Sequence, residues 1–429
     1  MTHFGIICPA TAGHLNPMTA LGYELKKRGH RVSVINIFDV RLRVLAAGLE
    51  FVMIGKPDFP PGASINLFFK LANLNRLEAF KYIIEEWQTN SANAVLRDAP
   101  EAIKINGIDA LLVDQCSAEG GTLAEYLNIP FVTVCNAMML NRDITVPPFI
   151  TSWGYDPTRE GIIRNRLGYE LLDRKRKPLE EVINDYRQEW NLSLDRNPIE
   201  IYSSLAQICQ QPKEFEFPRQ ELPPCFHFTG PYTNLTTREP IPFSFEKLTG
   251  QPLIYVSLGK LQNQYLWIVR AIAQACACFL NVQLVITMGG GATPESLPSL
   301  PGNPIVVDYA PQLELLAKAA ITITTAGMNT VLESLSNGVP IVAIPVTNDQ
   351  PGVAARIAWT KTGKVVPLEK VSVENLRRAI EQVLRKSDYK QNALKLQESI
   401  EQAGGVSKAA NIIEQAVVTR KPVRAHAIN

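Results

Sequence analysis

ITITTAGMNTVLESLSNGVPIVAIPVTNDQ, residues Ile321–Gln350, decides how the rest of this 429-residue chain is read. Ile and Thr alternate as far as Thr325-Ala326-Gly327, and Met328, Val331, Leu332 and Leu335 then fall at helical spacing. The stretch therefore predicts a strand, a tight turn and a helix. Gly338 and Pro340 end that helix, and the apolar run Ile341–Pro345 predicts the next parallel strand. Such a turn aims free backbone N–H groups and the positive end of a helix into one crevice, which suits a phosphate. Asn329 and Glu333 lie four apart on one face, and Asp349-Gln350 follows the next strand. Two polar clusters thus reach the carboxyl ends of neighbouring strands, where an open α/β sheet binds its ligand.

Outward from this stretch, the same texture recurs. Pro252–Leu258 predicts a strand ending in Gly259-Lys260, then a helix over 262–279, a strand Gln283–Met288, a flexible turn Gly289–Gly291 and a strand Ile305–Tyr309. Helices are predicted at Val353–Lys361, Val373–Lys386 and about Ser407–Val418. Thr233–Gly250 has the proline and polar content of an interdomain linker.

The N-terminal half opens with a strand Phe4–Cys8, a loop, a helix with Asn16 as N-cap and Pro17 at its first position, and a strand Arg31–Ile37. This βαβ unit lacks GxGxxG, which disfavours a dehydrogenase. His14 falls in the strand-to-helix loop at the carboxyl edge of the sheet, and Asp114 ends the strand Asp109–Asp114 at the same edge. Each has a plainer reading: a lone His can satisfy loop backbone groups, and an Asp can cap the helix beginning near Ser117–Gly121. Asp58–Leu96 carries Leu67, Phe68, Leu71, Leu74, Leu77, Phe80 and Trp87 at helical spacing, core for the most part, with room for a lipophilic pocket. Phe131–Val134 predicts a further strand, residues 141–220 read as irregular with Arg174–Lys177 as a solvated helix face, and Leu205–Gln211 and Phe226–Gly230 as the last strands.

A chain this long predicts two domains of about 200 residues each. Net charge of +2 with scattered Lys and Arg calls for no nucleic acid or anionic membrane as obligatory partner. Seven Cys without a disulfide framework read as reduced, buried thiols of a cytosolic protein. No apolar run approaches the roughly 20 residues of a membrane span, and the first residues lack the pattern of a signal peptide.

The Ile321–Gln350 stretch resembles the nucleotide-sugar box of the UDP-glycosyltransferase family of GT-B fold, a His-Gly-Gly turn followed by Asn, Ser or Thr, Glu and, later, Asp-Gln. Asn329, Thr330, Glu333, Asp349 and Gln350 match it; Thr325 and Ala326 replace His and Gly, and Gly327 remains. Ser257 and Gly259 match the family's Ser-x-Gly-Thr turn, where Lys260 is the departure, and Tyr309 and Gln312 match its Trp-x-Pro-Gln segment. Gly13-His14-Leu15-Asn16-Pro17 matches the Gly-His-x-x-Pro context of the catalytic base. The segment preceding the linker is similar to that of bacterial carotenoid (zeaxanthin) glucosyltransferases.

The resemblance implies two Rossmann-like domains facing across a cleft: residues 1–235 for the acceptor, 236–406 for the nucleotide-sugar, and 407–429 crossing back to the first. It implies an inverting transfer of a hexose from a UDP-sugar to a lipophilic alcohol, with His14 as base and Asp114 supporting its imidazolium. Ser257, Gly259, Lys260 and Thr325 would then face the diphosphate, Tyr309 and Gln312 the nucleoside, Glu333 the ribose hydroxyls, and Asp349 and Gln350 the sugar, with Gly327, Asn329 and Thr330 as further donor-binding residues. Lys260 is expected to supply the charge lost at Thr325, the alternative being a Lys in solvent. No Asp-x-Asp motif is present, so neither a metal nor a cofactor is expected, and membrane contact would be peripheral. The departures at Thr325, Ala326 and Lys260 leave one competitor, a non-catalytic relative that binds a lipophile or nucleotide.

Overall fold

The structure, a computed structural model, describes residues 1–72, 74, 76–195, 201–238, 240–259, 265–290 and 293–425. Thirteen described strands form two sheets. The first contains β1 (His3–Ile7), β2 (Arg31–Asn36), β3 (Glu50–Met53), β4 (Ala110–Asp114), β5 (Phe131–Cys135), β6 (Gln207–Cys209) and β7 (Phe226–Phe228). The second contains β8 (Leu253–Ser257), β9 (Gln283–Thr287), β10 (Ile305–Val307), β11 (Ala319–Thr324), β12 (Ile341–Ala343) and β13 (Gly363–Val365). Their orders are β3-β2-β1-β4-β5-β6-β7 and β10-β9-β8-β11-β12-β13. Every described pairing is parallel.

The apolar strands dictate this arrangement. β4 and β8 are buried at all five positions, so helices must cover both faces of each sheet, and parallel neighbours need crossovers long enough to be helical. In each sheet the chain starts in the middle, runs to one edge, returns and runs to the other. The order reverses between β1 and β4, and again between β8 and β11, leaving a crevice at each reversal. Those crevices receive the loops that carry His14 and Asp114 on one side, and Ser257 and Thr325 on the other.

The two units share more than a linker. The terminal helix Gly405–Thr419 buries Ala409, Ala410, Ile413 and Ala416 with Leu21, Leu25 and Val32 in the core of the first sheet. Arg28 fixes it there, donating to Asn411 Oδ1 at 2.6 Å and Glu414 Oε2 at 2.7 Å. Met138 and Phe215 of the first unit join Ala326, Met328 and Val331 of the second in one apolar cluster.

Three expectations need correction. The first helix begins at Ala12, not beyond Asn16, because His14 and Leu15 N–H already donate to Thr11 O at 3.1 and 2.9 Å; Pro17 lies inside it. Residues 141–220 are not irregular throughout: they contain the 31-residue helix Arg159–Glu189, whose stripe Tyr169, Leu172, Leu179 and Ile183 is interrupted by Gly168 and Pro178. Gly168 is a packing requirement, since a Cβ there would meet the Trp153 ring at 2.9 Å. β3 and the helix Ser387–Ala403 lie where nothing was expected. Among the described residues no helix is long and apolar enough to cross a membrane.

Candidate active site

His14 sits in the first turn of the helix that follows β1, and its Nδ1 donates to Asp114 Oδ2 at 2.8 Å. The Asp114 side chain is wholly buried at the end of β4, whereas that of His14 keeps 19 % of its exposure. Asp114 does not cap the next helix, which starts at Glu119 behind Ala118. Its Oδ1 accepts from Cys116 N at 2.8 Å and its Oδ2 also from Asn136 Nδ2 at 2.7 Å. A proton on Nδ1 leaves Nε2 of the neutral ring as an acceptor, and among the described residues nothing bonds to it. Burial works against the imidazolium, but the charge and hydrogen bond of Asp114, with a further contribution from Asp349, hold the His14 pKa above its ordinary value. A buried general base with an oriented ring and an open nitrogen is the chemistry this pair can supply.

Two neighbours were not foreseen. The Glu119 carboxyl is pushed up to about 7 by burial, partly offset by its own backbone N–H and increased by Asp114. Cys116 brings its sulfur within 4.8 Å of the donor atoms of His14 and Asp114, so three potential metal ligands converge where linear spacing showed none. Burial first, then Asp114, raises the Cys116 thiol well above its ordinary range.

On the facing side, β11 ends in Thr324 and the turn to the helix Met328–Ser336 passes through Thr325, buried, and Ala326, fully buried at φ 65°. Ser257 ends β8, next to Gly259 at φ 65°; Lys260 lies outside the described residues. Tyr309 is 52 % exposed and its hydroxyl lies against Gly290, whose φ of 75° is what calls for a glycine there. Gln312 Oε1 accepts from Tyr255 Oη at 3.2 Å, while its Nε2 donates to Glu333 Oε2 at 2.5 Å and Thr330 Oγ1 at 3.4 Å. Glu333 is buried, and Arg238 from the linker donates to its Oε1.

Asn329, Asp349 and Gln350 use their side chains differently from expectation. Asn329 reaches the first unit, donating from Nδ2 to Gly13 O at 2.9 Å and accepting at Oδ1 from Gln210 Nε2 at 2.8 Å. Asp349 Oδ2 accepts from Met138 N at 3.1 Å, and burial raises its pKa against the opposing pull of that bond and of His14. Gln350 Oε1 accepts from Val346 and Thr347 N, both at 2.9 Å, and so shapes its own loop.

A cavity of about 600 Å³ lies under the long helix, lined by Tyr169, Leu172, Arg176, Tyr202 and, beside the catalytic loop, Ala118. Of the aromatics of 58–96, Phe59 and Trp87 pack edge to face on each other, 5.0 Å apart, and do not line this cavity, while the side chains of Phe68 and Phe80 lie outside those described. Asn136, Gln210 and Arg238 are the polar residues that sequence reading passed over. The first two stand just beyond the carboxyl ends of β5 and β6, the same location that singled out Asp114, whereas Arg238 in the linker gave no signal.

Comparison with known proteins agrees with this geometry. The family pattern described as "UDP-glucoronosyl and UDP-glucosyl transferase" matches residues 186–403. A zeaxanthin glucosyltransferase of Pantoea ananas is 33% identical, covering 99% of this chain and 98% of its own. Another of that name, from Pseudescherichia vulneris, is 29% identical over 99% of this chain and 100% of its own. Among solved structures, that of the calicheamicin glycosyltransferase CalG4 superposes with a TM-score of 0.77 at 23% identity, covering 98% of this chain and 99% of that one.

Proposed function

The chain belongs to the family of UDP-glucoronosyl and UDP-glucosyl transferases, and from that premise we propose that it moves glucose from UDP-glucose to a hydroxyl of a carotenoid-like alcohol, with inversion at the anomeric carbon. The observation that carries this reading is the His14–Asp114 pair, set directly across from the helix Met328–Ser336. In the proposed step His14 Nε2 takes the acceptor's hydroxyl proton as its oxygen bonds to C1. The bond from C1 to the β-phosphate oxygen breaks, and UDP leaves with the electron pair. Asp114, buried and bonded to Nδ1, favours the imidazolium that forms.

Charge building on the diphosphate would be met by the Thr325 hydroxyl and the N–H groups opening the helix Met328–Ser336. The half-exposed Tyr309 ring would offer a face to the base, Glu333 with Gln312 would offer acceptors to the ribose, and Asp349 and Gln350 would meet the sugar. The carotenoid-like acceptor is supported by the names of the two relatives and by the cavity beside Ala118. Action without a metal, and in the cytoplasm, completes the proposal.

The test is transfer from UDP-glucose to zeaxanthin and to a panel of soluble alcohols, with the product identified by mass spectrometry and its anomeric configuration by NMR. A β-glucoside formed in the presence of EDTA is expected. An α-glucoside would refute inversion, a strict need for Mg²⁺ would refute metal independence, and UDP binding without any transfer would favour the non-catalytic reading.

A further inference from the structure

The His14–Asp114 pair belongs to a closed circuit of polar contacts that passes through both domains. Asp114 Oδ2 accepts from Asn136 Nδ2 at 2.7 Å, and the Asn136 carbonyl accepts from Gln210 Nε2. The same Gln210 nitrogen donates to Asn329 Oδ1 at 2.8 Å, and Asn329 Nδ2 donates to Gly13 O at 2.9 Å, one residue from His14. Gln210 and Asn136 are each 2% exposed. A carboxamide nitrogen has two hydrogens, so Gln210 can serve one acceptor in each domain at once.

Pro17 explains why Gly13 takes part. Inside a helix the carbonyl of Gly13 would accept from the N–H four residues on, and that residue is Pro17, which has none. The first turn therefore carries a carbonyl relieved of its helical donor, and a side chain from the opposite domain supplies one. That bond ties the turn that carries His14 to the opposite domain through Gly13.

We propose that Gln210 is a positioning residue for the transfer: together with Asn329 it locks the turn that carries His14 onto the opposite domain and so sets the base over the acceptor oxygen. It acts through Asn329 and Gly13 and touches neither substrate. The inference rests on reading His14 as the base.

Two variants test it with UDP-glucose and whichever alcohol the parent enzyme glucosylates. Gln210→Leu keeps the apolar stem and removes both donated bonds. It is expected to lower kcat by about 10- to 100-fold, the scale of a misplaced reacting group. UDP affinity by calorimetry should stay within about twofold, and the acid limb of the pH–rate profile should not move, because Asp114 still holds His14. Pro17→Ala supplies a helical N–H that competes with Asn329 for Gly13 O; it should lower kcat in the same sense while raising Tm, a combination that damage to the fold cannot produce. If Gln210→Leu does not fold, Pro17→Ala decides alone. Parent-like kcat in the folded variants overturns the proposal, and so does a loss of UDP affinity in step with kcat. His14→Ala in the same assay separates the two readings: retained transfer would sink the base assignment itself, whereas lost transfer beside an unaffected Gln210→Leu would sink only the lock.

Discussion

In its proposed role as the base, His14 must have a neutral ring, and its partners make that harder: they raise its pKa above the ordinary value, chiefly through Asp114 against the effect of burial. The acid limb of kcat/KM should therefore lie above the usual imidazole range, with activity rising as pH passes through it. Asp114→Asn removes the charge and leaves burial to act, so the limb should move to lower pH while the rate falls by at least about 10²-fold. A pH–rate profile of the variant that keeps the parent's limb would contradict this. Arg238 poses a different question at the same scale. It and Gln312 are the donors to the buried Glu333 carboxylate, so Arg238→Ala should cost about 1–3 kcal/mol of stability, the size of a lost charged partner. Ribose hydroxyls can replace the missing donor, so UDP should raise Tm more in this variant than in the parent. Equal shifts in a thermal scan with and without UDP would show that Arg238 and the ribose do not share Glu333.

At the scale of elements, the turn Thr325–Gly327 shows what the chain accepted by departing from a glycine pair. Ala326 is fully buried at φ 65°, a conformation that costs an L-residue about 1–2 kcal/mol. Ala326→Gly relieves that strain but loses a packed methyl worth about 0.8 kcal/mol and adds freedom to the unfolded chain, so stability should change by less than about 1 kcal/mol. Ala326→Val, β-branched at positive φ, should instead cost more than about 2 kcal/mol by urea unfolding. This turn was legible because the alternation before it and the helical spacing after it are local. The first helix was misplaced for the opposite reason: Pro17 resembles a start signal, and only the bond from Asn329 to Gly13 shows why a helix already under way tolerates it. The helix Arg159–Glu189 was hidden by Gly168 and Pro178, and in the case of Gly168 the justification is a packing partner elsewhere in the chain, the Trp153 ring. His14 and Asp114 could be found separately, since one follows a strand in the strand-to-helix connection and the other ends a strand. Their union with Asn136 and Gln210 is a property of the order β1-β4-β5-β6, which no local pattern carries.

Across the whole molecule, the two domains are held together by a buried charge pair as well as by the polar circuit through Gln210 and Asn329. Arg356, fully buried in the helix Gln350–Trp359, donates from Nη2 and Nε to Glu216 Oε1 at 2.6 and 3.1 Å. Glu216 lies between β6 and β7 of the other sheet, where Gln211 Nε2 donates to its second oxygen at 2.8 Å. Phe217 lies 4.2 Å under the guanidinium, and Gly352 lets the same helix approach so closely that a Cβ would lie 2.0 Å from Phe149 O. Burial alone would raise the Glu216 pKa, but the charges of Arg356 and Arg219 outweigh it and hold the carboxyl below its ordinary value of 4.5. A carboxyl depressed in the folded state contributes fully above its unfolded pKa, and the contribution drains away as pH falls through the lower, folded value. Arg356→Met should cost about 1–3 kcal/mol at neutral pH because it removes the bonds that Arg356 donates to the buried Glu216 carboxylate and leaves Arg219, 3.5 Å away, as its remaining cation; Glu216→Gln should then cost less in that background than in the parent. Denaturant midpoints for the parent, both single variants and the double variant then form a cycle. The parent's midpoint should fall as pH drops below about 4.5, and the double variant, which lacks the pair, should lose less over the same interval. If the two fall in parallel, and the single-variant costs simply add, Glu216 and Arg356 do not stabilise the closed molecule as a pair, and the hold between the domains must come from the apolar cluster around Met138 and Phe215.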